Sequence, residues 1–404
     1  MATIVDFATG VKDALDIFGD LFANEPARRH FAEYLTGLIT AENKTVRGIN
    51  RELVVTTDQS CLNRWLSEVS WDTKAFNHRR LEWWQRGPKT RYSSGGVMAI
   101  DNHLVDHAGK RIEDVGWFWD HANARYVIAH DDLISNYVCP WGAPYPLAWR
   151  RFNKRDACEP NVFKDHTEWC IELIDDAMAR GIAGDFTFDS YVTRAKVLNP
   201  IESQKRLYVG DLKLNRKGVY EGREQALQAV ARQIPWQAKK PVRVGNRRYW
   251  SFSKQMRIPA VKHPVRIVWC WSARGDGPAS KALVRNRLTW EVIRMVLVYR
   301  HRWTGTETFH RDGKQALGLG DGQVRSGEGH TRHVYVVSAA YSLLMRSLHQ
   351  SRPQEWARRV LTTIGEACGA VKGEQLGQRV DWIVDKLADD HWSLPQIKAV
   401  LAQT

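Results

Sequence analysis

The sequence predicts an α/β protein in which helices flank a mixed sheet, with a helical domain before the sheet and a β-rich insertion inside it. Apolar residues recur at helical spacing through residues 1–92, and short β-branched and aromatic runs take over from residue 97. Strand-like and helix-like runs then alternate until a basic, turn-rich stretch interrupts them. The predicted divisions are an N-terminal helical domain at 1–92, a first part of the core at 93–214, the insertion at 215–263, a second part of the core at 264–350 and a C-terminal helical region at 351–404.

The composition favours a globular protein with a polyanionic partner. Hydrophobic residues make up 43% of the 404 residues, and the net charge is +14. A basic surface attracts polyanions, so nucleic acid is the favoured partner, anionic membrane surface is second, and a merely basic enzyme is the alternative.

The six cysteines form no CxxC pair, so neither a zinc ribbon nor a redox motif is indicated, and a reducing cytosol fits best. No secretory pattern or membrane-spanning apolar run is seen, which predicts a cytoplasmic protein without a membrane partner.

The N-terminal domain carries a run of short, basic helices. Arginines lie along three of them, and a basic, aromatic segment at 78–86 ends the last. Such a module favours DNA contact, and a packing or dimerisation domain is the alternative. The predicted helices cover 29–41, 47–53, 59–68 and 72–86.

Two aspartates follow apolar, strand-like runs that lie far apart in the chain. The run at 97–100 ends at Asp101. Much later, a helix that Gly181 ends leads to a strand at 182–188, and Asp189 comes next. Both aspartates are therefore predicted to lie at the ends of core strands. The other predicted elements of this part are hairpin strands at 116–120 and 125–130 around a turn at 121–124, strands at 134–138 and 207–214, and a helix at 162–180.

A third acid, Glu307, lies in a basic and aromatic helix late in the chain. The predicted helix covers 289–314 with an interruption near Gly305. A carboxylate in such a segment suits a metal ion working on a phosphate backbone: the metal needs oxygen ligands, the backbone needs cations, and unstacked bases need aromatic faces. The remaining predicted elements are strands at 242–244 and 248–252 around a Gly245–Asn246 turn, a core strand at 265–271, a helix at 333–349, and a helical segment from 352 with a break at 365–373.

The order of strands, helix, strand, insertion and helix is how an RNase H-like fold brings carboxylates together from distant segments. Asp101, Asp189 and Glu307 are the candidates for a site in which two Mg²⁺ ions activate a water or a 3′-hydroxyl and stabilise the leaving oxygen. Structural roles are the alternative, since an Asp at a strand end commonly caps a turn and Glu307 can pair with Arg311 at i+4. The competing acids are Asp106, Asp120, Asp185 and Asp211.

Three segments carry a family resemblance: AIDNHLVDHAGKRIEDVGWFWDH from residue 99, GDFTFDSYV from 184, and RNRLTWEVIRMVLVYRHRWTGTETFHRDGKQALGLGDGQVR from 285. They resemble the DDE cut-and-paste transposases of bacterial insertion sequences, in the group with a β-rich insertion and a Y-R-E-K signature. The resemblance covers roughly residues 30–350. It implies that the three acids are catalytic and bind two Mg²⁺ ions, for which Mn²⁺ can substitute. Tyr299, Arg302 and Lys314 match the other signature positions, which in the family grip DNA near the cut, and Trp303 matches the aromatic that often follows the Arg. Arg300, in the same basic segment, is a further candidate for DNA binding.

The resemblance further implies a complete reaction. The protein would bind terminal inverted repeats, cleave the DNA at the ends and join the freed 3′-hydroxyls to target DNA, with a DNA hairpin as one route for second-strand cleavage. Pairing of two ends implies a homodimer, and the setting implied is the bacterial nucleoid. Two alternatives remain: a catalytically inactive, domesticated transposase that only binds DNA, and an RNase H-like nuclease that does not join strands.

One departure from the family pattern concerns the third segment. Four residues separate Arg302 from Glu307, where the family usually has three. On a regular helix this spacing rotates the two side chains apart by about 140°. A one-residue π-bulge at residues 304–306, helped by Gly305, would restore a common face. Otherwise Arg300 or His301 would have to substitute for Arg302.

Overall fold

The structure, a computed structural model, describes residues 2–109, 111–159, 162–275, 277–349, 357 and 359–402. The chain divides into two compact units, each assembled from separate segments. Each unit combines segments that are far apart in the sequence. The five predicted divisions, which follow the order of the chain, therefore stay a proposal. Unit 1 consists of Met1–Arg91, Leu104–Asp131 and Phe309–Thr404, and unit 2 of Tyr92–His103 and Asp132–Thr308.

Polar caps start several of the helices. Asn24, Asp58 and Asp72 each accept a hydrogen bond from a backbone N–H in the first turn that follows, which satisfies a donor the helix leaves unpaired. Within the described ranges, no helix is both long and apolar enough to cross a bilayer. In chain order the helices are α1 (Thr9–Phe18), α2 (Glu25–Thr40), α3 (Val46–Glu52), α4 (Gln59–Ser67), α5 (Thr73–Gln85), α6 (His166–Ala179), α7 (Ala195–Ser203), α8 (Leu227–Gln233), α9 (Val292–Arg302), α10 (Thr308–Ala316), α11 (Gly327–Leu348), α12 (Ile364–Ala388) and α13 (Leu394–Ala402).

The strands form one large mixed sheet and one small hairpin. The strands are β1 (Val97–Asp106), β2 (Gly116–Asp120), β3 (Arg125–Val138), β4 (Pro144–Phe152), β5 (Asp185–Phe188), β6 (Tyr208–Leu212), β7 (Lys217–Tyr220), β8 (Arg223–Ala226), β9 (Lys240–Val244), β10 (Arg247–Met256), β11 (Val265–Trp271) and β12 (Lys281–Arg285). The large sheet has ten strands in the order β2-β3-β1-β5-β6-β12-β11-β10-β9, with β4 paired to β3, and β7 pairs with β8 separately. This mixed sheet with helices confirms the predicted α/β class.

The helices at the start of unit 1 share an aromatic core. Phe22 stacks on Phe31 with ring centroids 5.0 Å apart, and Trp65 stacks on Trp71 at 5.8 Å. These rings are almost completely buried, as is Phe76 beside them. Burial of each such ring contributes about 1.5–3 kcal/mol to stability. Many aromatic residues of the N-terminal segment are therefore core residues and not surfaces for bases.

The core of unit 2 places α9 against the sheet. Val209, Val268 and Leu283 from three neighbouring strands pack with Met295 and Val298 of α9, and all five are buried. The face of α9 is thereby fixed by apolar contact. This packing also positions the end of α9, from which the segment Trp303–Glu307 continues.

Two strands are longer than predicted. β1 continues through Asp101 to Asp106, so Asp101 lies within the strand and not after it. β3 is one continuous strand at Arg125–Val138, where the sequence predicts two separate runs. The apolar pattern marks only the buried part of a strand, whereas backbone pairing continues through polar residues. The predicted hairpin of β2 and β3 is confirmed by its antiparallel register.

The predicted insertion at 215–263 joins the main sheet. Its hairpin of β9 and β10 turns at Gly245–Asn246 as expected, with Gly245 at φ +58°. However, β10 also pairs with β11 along seven residues. These two strands therefore extend the large sheet and do not form a separate β subdomain.

The predicted break at 365–373 is wrong, because α12 runs through it as one helix. A capping box between Thr363 and Glu366 starts the helix. Ile364, Cys368 and Val371 are buried on one face, which offsets the roughly 0.5–1 kcal/mol that each helical glycine costs. The predicted C-terminal segment also includes residues 351–356 and 358, which lie outside the described residues.

Candidate active site

Strand register places two of the predicted acids side by side. β1 and β5 are parallel, with Ile100 opposite Phe188. The next residues are Asp101 and Asp189, and residues in register on neighbouring strands point to the same face of a sheet. Asp189 follows β5 directly, and its Oδ1 accepts a hydrogen bond of 2.8 Å from the backbone N–H of Tyr191. This turn fixes the orientation of the Asp189 carboxylate.

A π-helical segment carries the third acid. α9 continues into a π-helix at Trp303–Glu307 before α10 begins, so the extra residue is absorbed in a wider turn. The predicted bulge at Gly305 is confirmed. A Cβ at Gly305 would lie 2.9 Å from Val138 Cγ2 and 3.3 Å from Ala99 Cβ. Glycine therefore allows the segment to approach β1 and β3 this closely.

Arg302 lies between the first and third acids. Its Nη1 forms an ion pair with Asp101 Oδ2 and lies 3.6 Å from Glu307 Oε1. The Thr306 hydroxyl donates to the Arg302 carbonyl oxygen at 2.6 Å and stabilises the turn between them. The π-helical segment thus returns Arg302 and Glu307 to one side despite their spacing, and Arg302 rather than Arg300 lies among the acids.

The three carboxylates interact electrostatically. Burial raises the pKa of Asp101 to about 7, well above 3.8 for an ordinary aspartate. The Arg302 charge opposes this rise, whereas the charges of Asp189 and Glu307 add to it. The side chain of Asp101 is 11% exposed and that of Glu307 is 40% exposed. The cluster therefore has one buried, proton-binding acid and one acid open to solvent.

A groove in unit 2 adjoins Arg302. Its volume is about 750 Å³, and the turn of the β9–β10 hairpin and the end of α9 line it. Tyr299, Arg300, Arg302 and Trp303 all face it, and Trp303 is 62% exposed. Lys281 Nζ donates to the Tyr299 hydroxyl at 3.0 Å. The groove thus combines cations and aromatic faces, the two features that an unstacked nucleic acid strand requires.

The competing acids have structural surroundings. Asp211 Oδ2 lies 2.8 Å from Lys281 Nζ, Asp106 lies 3.9 Å from Arg125, and Asp120 Oδ1 accepts from the backbone N–H of Ala122 at 2.9 Å. The fourth, at position 185, begins β5, at the other end of the strand from the acid at 189. Burial raises its pKa to about 6. Position 101 differs from all four because its neighbours include two further carboxylates.

Two other predictions concern the residues after Glu307. The i+4 partner proposed for Glu307, Arg311, forms its ion pair with Asp312, at 2.8 Å. Lys314 belongs to unit 1, where its Nζ donates to the Leu104 carbonyl oxygen at 2.8 Å. Its predicted role in gripping DNA stays a proposal.

Asn136 is a residue of this site that the sequence does not indicate. It lies on β3, and its Cβ would be 3.7 Å from a Cβ placed on Gly305. Its side chain is completely buried, and neither amide atom has a hydrogen-bond partner within the described residues. Such a buried amide is costly unless it is satisfied. Its sequence context is that of an ordinary strand and gives no signal.

Comparison with known families identifies the family of the chain. The sequence model described as DDE superfamily endonuclease matches residues 18–241, just over half of the chain. The chain belongs to this family. The resemblance to DDE-type transposases and the RNase H-like core are thereby confirmed, whereas the insertion-sequence origin and the Y-R-E-K signature stay predictions. The matched range includes Asp101 and Asp189 and ends before Glu307. A search of curated proteins found no similar sequence.

The residues of the site fit the divalent metal that is typical of this DDE family. Asp101, Asp189 and Glu307 supply hard oxygen donors, which suit Mg²⁺ better than softer metals. Burial is the main cause of the raised pKa of Asp101, and repulsion from Asp189 and Glu307 adds to it. A bound cation would relieve this repulsion.

Proposed function

We propose that this protein is a DNA transposase that cleaves DNA at transposon ends and joins the 3′-hydroxyls to target DNA. The observation that carries the proposal is the approach of Asp101, Glu307 and Arg302, with Asp189 beside Asp101 in register. DNA as substrate and endonuclease chemistry follow from the family. Binding of terminal inverted repeats, strand transfer and an insertion-sequence origin are the finer parts of the proposal.

In this proposal Asp101, Asp189 and Glu307 hold two Mg²⁺ ions, for which Mn²⁺ can substitute. When bound, such ions activate the attacking oxygen and stabilise the leaving oxygen of a phosphodiester. Asp101 contributes as a carboxylate only when it is ionised, and Arg302 favours that state. Arg302 is also placed to contact a phosphate that enters the site, because its guanidinium lies among the acids at the edge of the groove.

The proposed DNA interface uses the groove beside the acids. Trp303 offers an exposed ring for stacking, and Arg300 supplies charge for the backbone. Tyr299 is held by Lys281 and donates to Asp211 Oδ2 at 3.2 Å, so its ring is fixed at the groove wall. A fixed aromatic ring and an exposed one can hold a strand that leaves the duplex near the cut. Paired ends imply that the protein acts as a homodimer in the bacterial nucleoid.

Strand cleavage tests the proposal. The substrate is duplex DNA from both sides of the gene, where inverted repeats would mark the transposon ends, incubated with Mg²⁺. We expect cleavage and joined products with the natural protein, and a loss of about 10³-fold with Asp189→Asn, since the metal site supplies several kcal/mol at 1.36 kcal/mol per tenfold. Asp120→Asn, which changes a half-buried acid at the end of β2, is the matched control.

The other outcomes discriminate between the alternatives. Natural activity in Asp189→Asn would contradict the assigned site. Nicks without any joined product would indicate a nuclease that does not transfer strands. DNA binding without metal-dependent cleavage by the natural protein would indicate a DNA-binding protein that keeps only the fold.

A further inference from the structure

Unit 1 contains a cluster of three histidines that the proposed DNA chemistry does not use. His107 follows β1, His130 lies in β3, and His330 lies in the first turn of α11. One ring nitrogen from each lies within 4.8 Å of the others. The ring centroids are 4.1–5.0 Å apart. We propose that this cluster, His107, His130 and His330, is a binding site for a Zn²⁺ ion that stabilises unit 1.

The donor set decides the kind of metal. Imidazole nitrogen suits Zn²⁺ and similar transition metals, whereas Mg²⁺ prefers oxygen. Zn–N bonds of about 2.0–2.1 Å in tetrahedral geometry place ligand nitrogens about 3.4 Å apart. His107 Nε2 and His130 Nδ1 are 2.8 Å apart and share a hydrogen bond. A bound ion would replace this shared proton, and since the three nitrogens lie within 4.8 Å of one another, their separations need to change by at most about 1.4 Å.

A backbone carbonyl selects the required form of His130. Its Nε2 donates to the Glu113 carbonyl oxygen at 2.8 Å, which leaves Nδ1 with its lone pair directed at His107. A ligating histidine commonly donates its other N–H to such a carbonyl. Glu113 is itself held against the start of α11, since its Oε2 accepts from Gly327 N at 2.7 Å and its N–H donates to Arg325 O at 2.9 Å. The same residue therefore orients one ligand and anchors the helix that carries another.

The histidines differ from a nearby histidine that is purely structural. The ring of His333 lies 5.7 Å from that of His330. Its Nδ1 shares a hydrogen bond of 2.8 Å with the Tyr34 hydroxyl, and its Nε2 lies 3.0 Å from the Gly318 carbonyl oxygen. Both nitrogens of His333 are thus committed to protein partners. In the proposed site, one nitrogen of each ring lies within 4.8 Å of those of the other two rings instead.

A cavity gives an ion and its remaining ligand access to the cluster. His107 is half-buried and lines a cavity of about 490 Å³, together with Arg111, Gln323 and Arg325. His130 and His330 are completely buried behind it. Three histidines with one open position leave room for a water or an anion as the fourth ligand. An ion here would link the segment that follows β1, strand β3 and helix α11 of unit 1.

The test measures zinc bound by the full-length protein. The protein is freed of metal with a chelator, dialysed and titrated with Zn²⁺ in the presence of excess Mg²⁺. We expect about one tight site for each chain and a rise in Tm. Loss of a ligand's hydrogen-bond partner commonly lowers metal affinity ten- to hundredfold. His107→Gln removes the ligand itself, so we expect its Zn²⁺ affinity to fall by more than this. His121→Gln, in the exposed β2–β3 turn, is the matched control and should bind like the natural protein.

Two further measurements, Co²⁺ substitution and zinc binding by Asp189→Asn, test the proposed histidine site. Substitution of Co²⁺ should give the visible absorption of a tetrahedral nitrogen site, and His107→Gln should lose it. Asp189→Asn should retain zinc, which separates this site from the carboxylates. Absence of a tight site in the natural protein would overturn the proposal, even if His107→Gln fails to fold. Equal zinc binding by His107→Gln, or loss of zinc only in Asp189→Asn, would overturn it as well.

Discussion

The carboxylate cluster of unit 2 and the histidine cluster of unit 1 are two different solutions to gathering three ligands from distant segments. The carboxylates repel one another, and an arginine from the same region, Arg302, offsets part of that repulsion. The histidines carry no such charge when neutral and are joined by a hydrogen bond between His107 and His130. Hard, charged oxygens suit Mg²⁺ and reaction chemistry, whereas imidazoles suit Zn²⁺ and a structural link.

The difference also appears in how each cluster is exposed. Glu307 is 40% exposed and Arg302 faces an open groove, so a large substrate can reach the acids. His130 and His330 are fully buried, whereas His107 is half-buried and lines a cavity. A reaction site must admit DNA, but a structural ion needs only a small ligand. The comparison therefore predicts that changes in the two clusters have separable effects.

The largest expected effect is the loss of cleavage in Glu307→Gln. This change removes a charge from the proposed metal site, and we expect about 10³-fold slower strand cleavage with DNA binding retained. Folding should not suffer, since loss of one charge reduces the repulsion that adds to the effect of burial on the pKa of Asp101. Cleavage kinetics and thermal unfolding provide the measurement. Glu82→Gln, at an exposed helical glutamate, is the control. A Glu307→Gln protein that cleaves DNA normally would contradict the proposed role of Glu307.

A smaller effect is expected for Gly305→Ala. The new Cβ would lie within 2.9 Å of Val138 Cγ2, so the π-helical segment must shift and carry Arg302 and Glu307 with it. We expect about a hundredfold loss of cleavage, since displacement by about 1 Å can cost that much, and about 1–3 kcal/mol of stability. Gly369→Ala is the control, because a Cβ there meets open space in α12 and should stabilise the helix. Equal behaviour of the two variants would show that the π-helical segment does not position the site.

Trp303→Ala should weaken DNA binding about tenfold. Stacking of a base on an aromatic ring contributes about 1–3 kcal/mol, and Trp303 is 62% exposed at the groove. Its thermal stability should match that of the natural protein. Trp141→Ala is the control, since Trp141 is 67% exposed and does not line the groove. Fluorescence anisotropy with single-stranded and nicked DNA measures the effect, and identical affinities for both variants would exclude this stacking role.

The smallest effect concerns pH. The pKa of Asp101 is raised to about 7, so below that pH its proton competes with Mg²⁺. The apparent Mg²⁺ affinity should therefore rise with pH and level off above about pH 7. Below that pH, binding that displaces one proton should change the affinity about tenfold for each pH unit. Arg302→Gln removes the charge that lowers the pKa of Asp101, so the midpoint should move to higher pH. A midpoint that stays fixed in Arg302→Gln would show that Arg302 does not control the ionisation of Asp101.

The sequence predicts the carboxylate site better than the histidine site, and the reason is physical. Asp101 and Asp189 follow apolar runs, so the pattern of buried strands marks their positions. The spacing between Arg302 and Glu307 requires an irregular turn, which predicts the π-bulge. The histidines at 107, 130 and 330 follow no motif, because their approach depends on how β3 and α11 pack within unit 1.

Other features depend on packing that composition does not encode. The sequence around Asn136 is that of an ordinary strand. Its contact with the π-helical segment depends on the close approach that Gly305 allows. The β10 strand has the polar composition of an insertion, yet its backbone pairs with β11 in the main sheet. Helix α12 contains glycines that predict a break, but buried contacts of residues such as Ile364 hold it together.

The most direct test of the account is Mn²⁺ binding measured by electron paramagnetic resonance on three proteins: the natural chain, Asp189→Asn and His107→Gln. Mn²⁺ prefers oxygen ligands, so it reports on the carboxylates rather than the histidines. We predict that His107→Gln binds Mn²⁺ as tightly as the natural protein and that Asp189→Asn loses at least one bound ion. Natural Mn²⁺ binding in Asp189→Asn would contradict the claim that Asp101, Asp189 and Glu307 form the metal site.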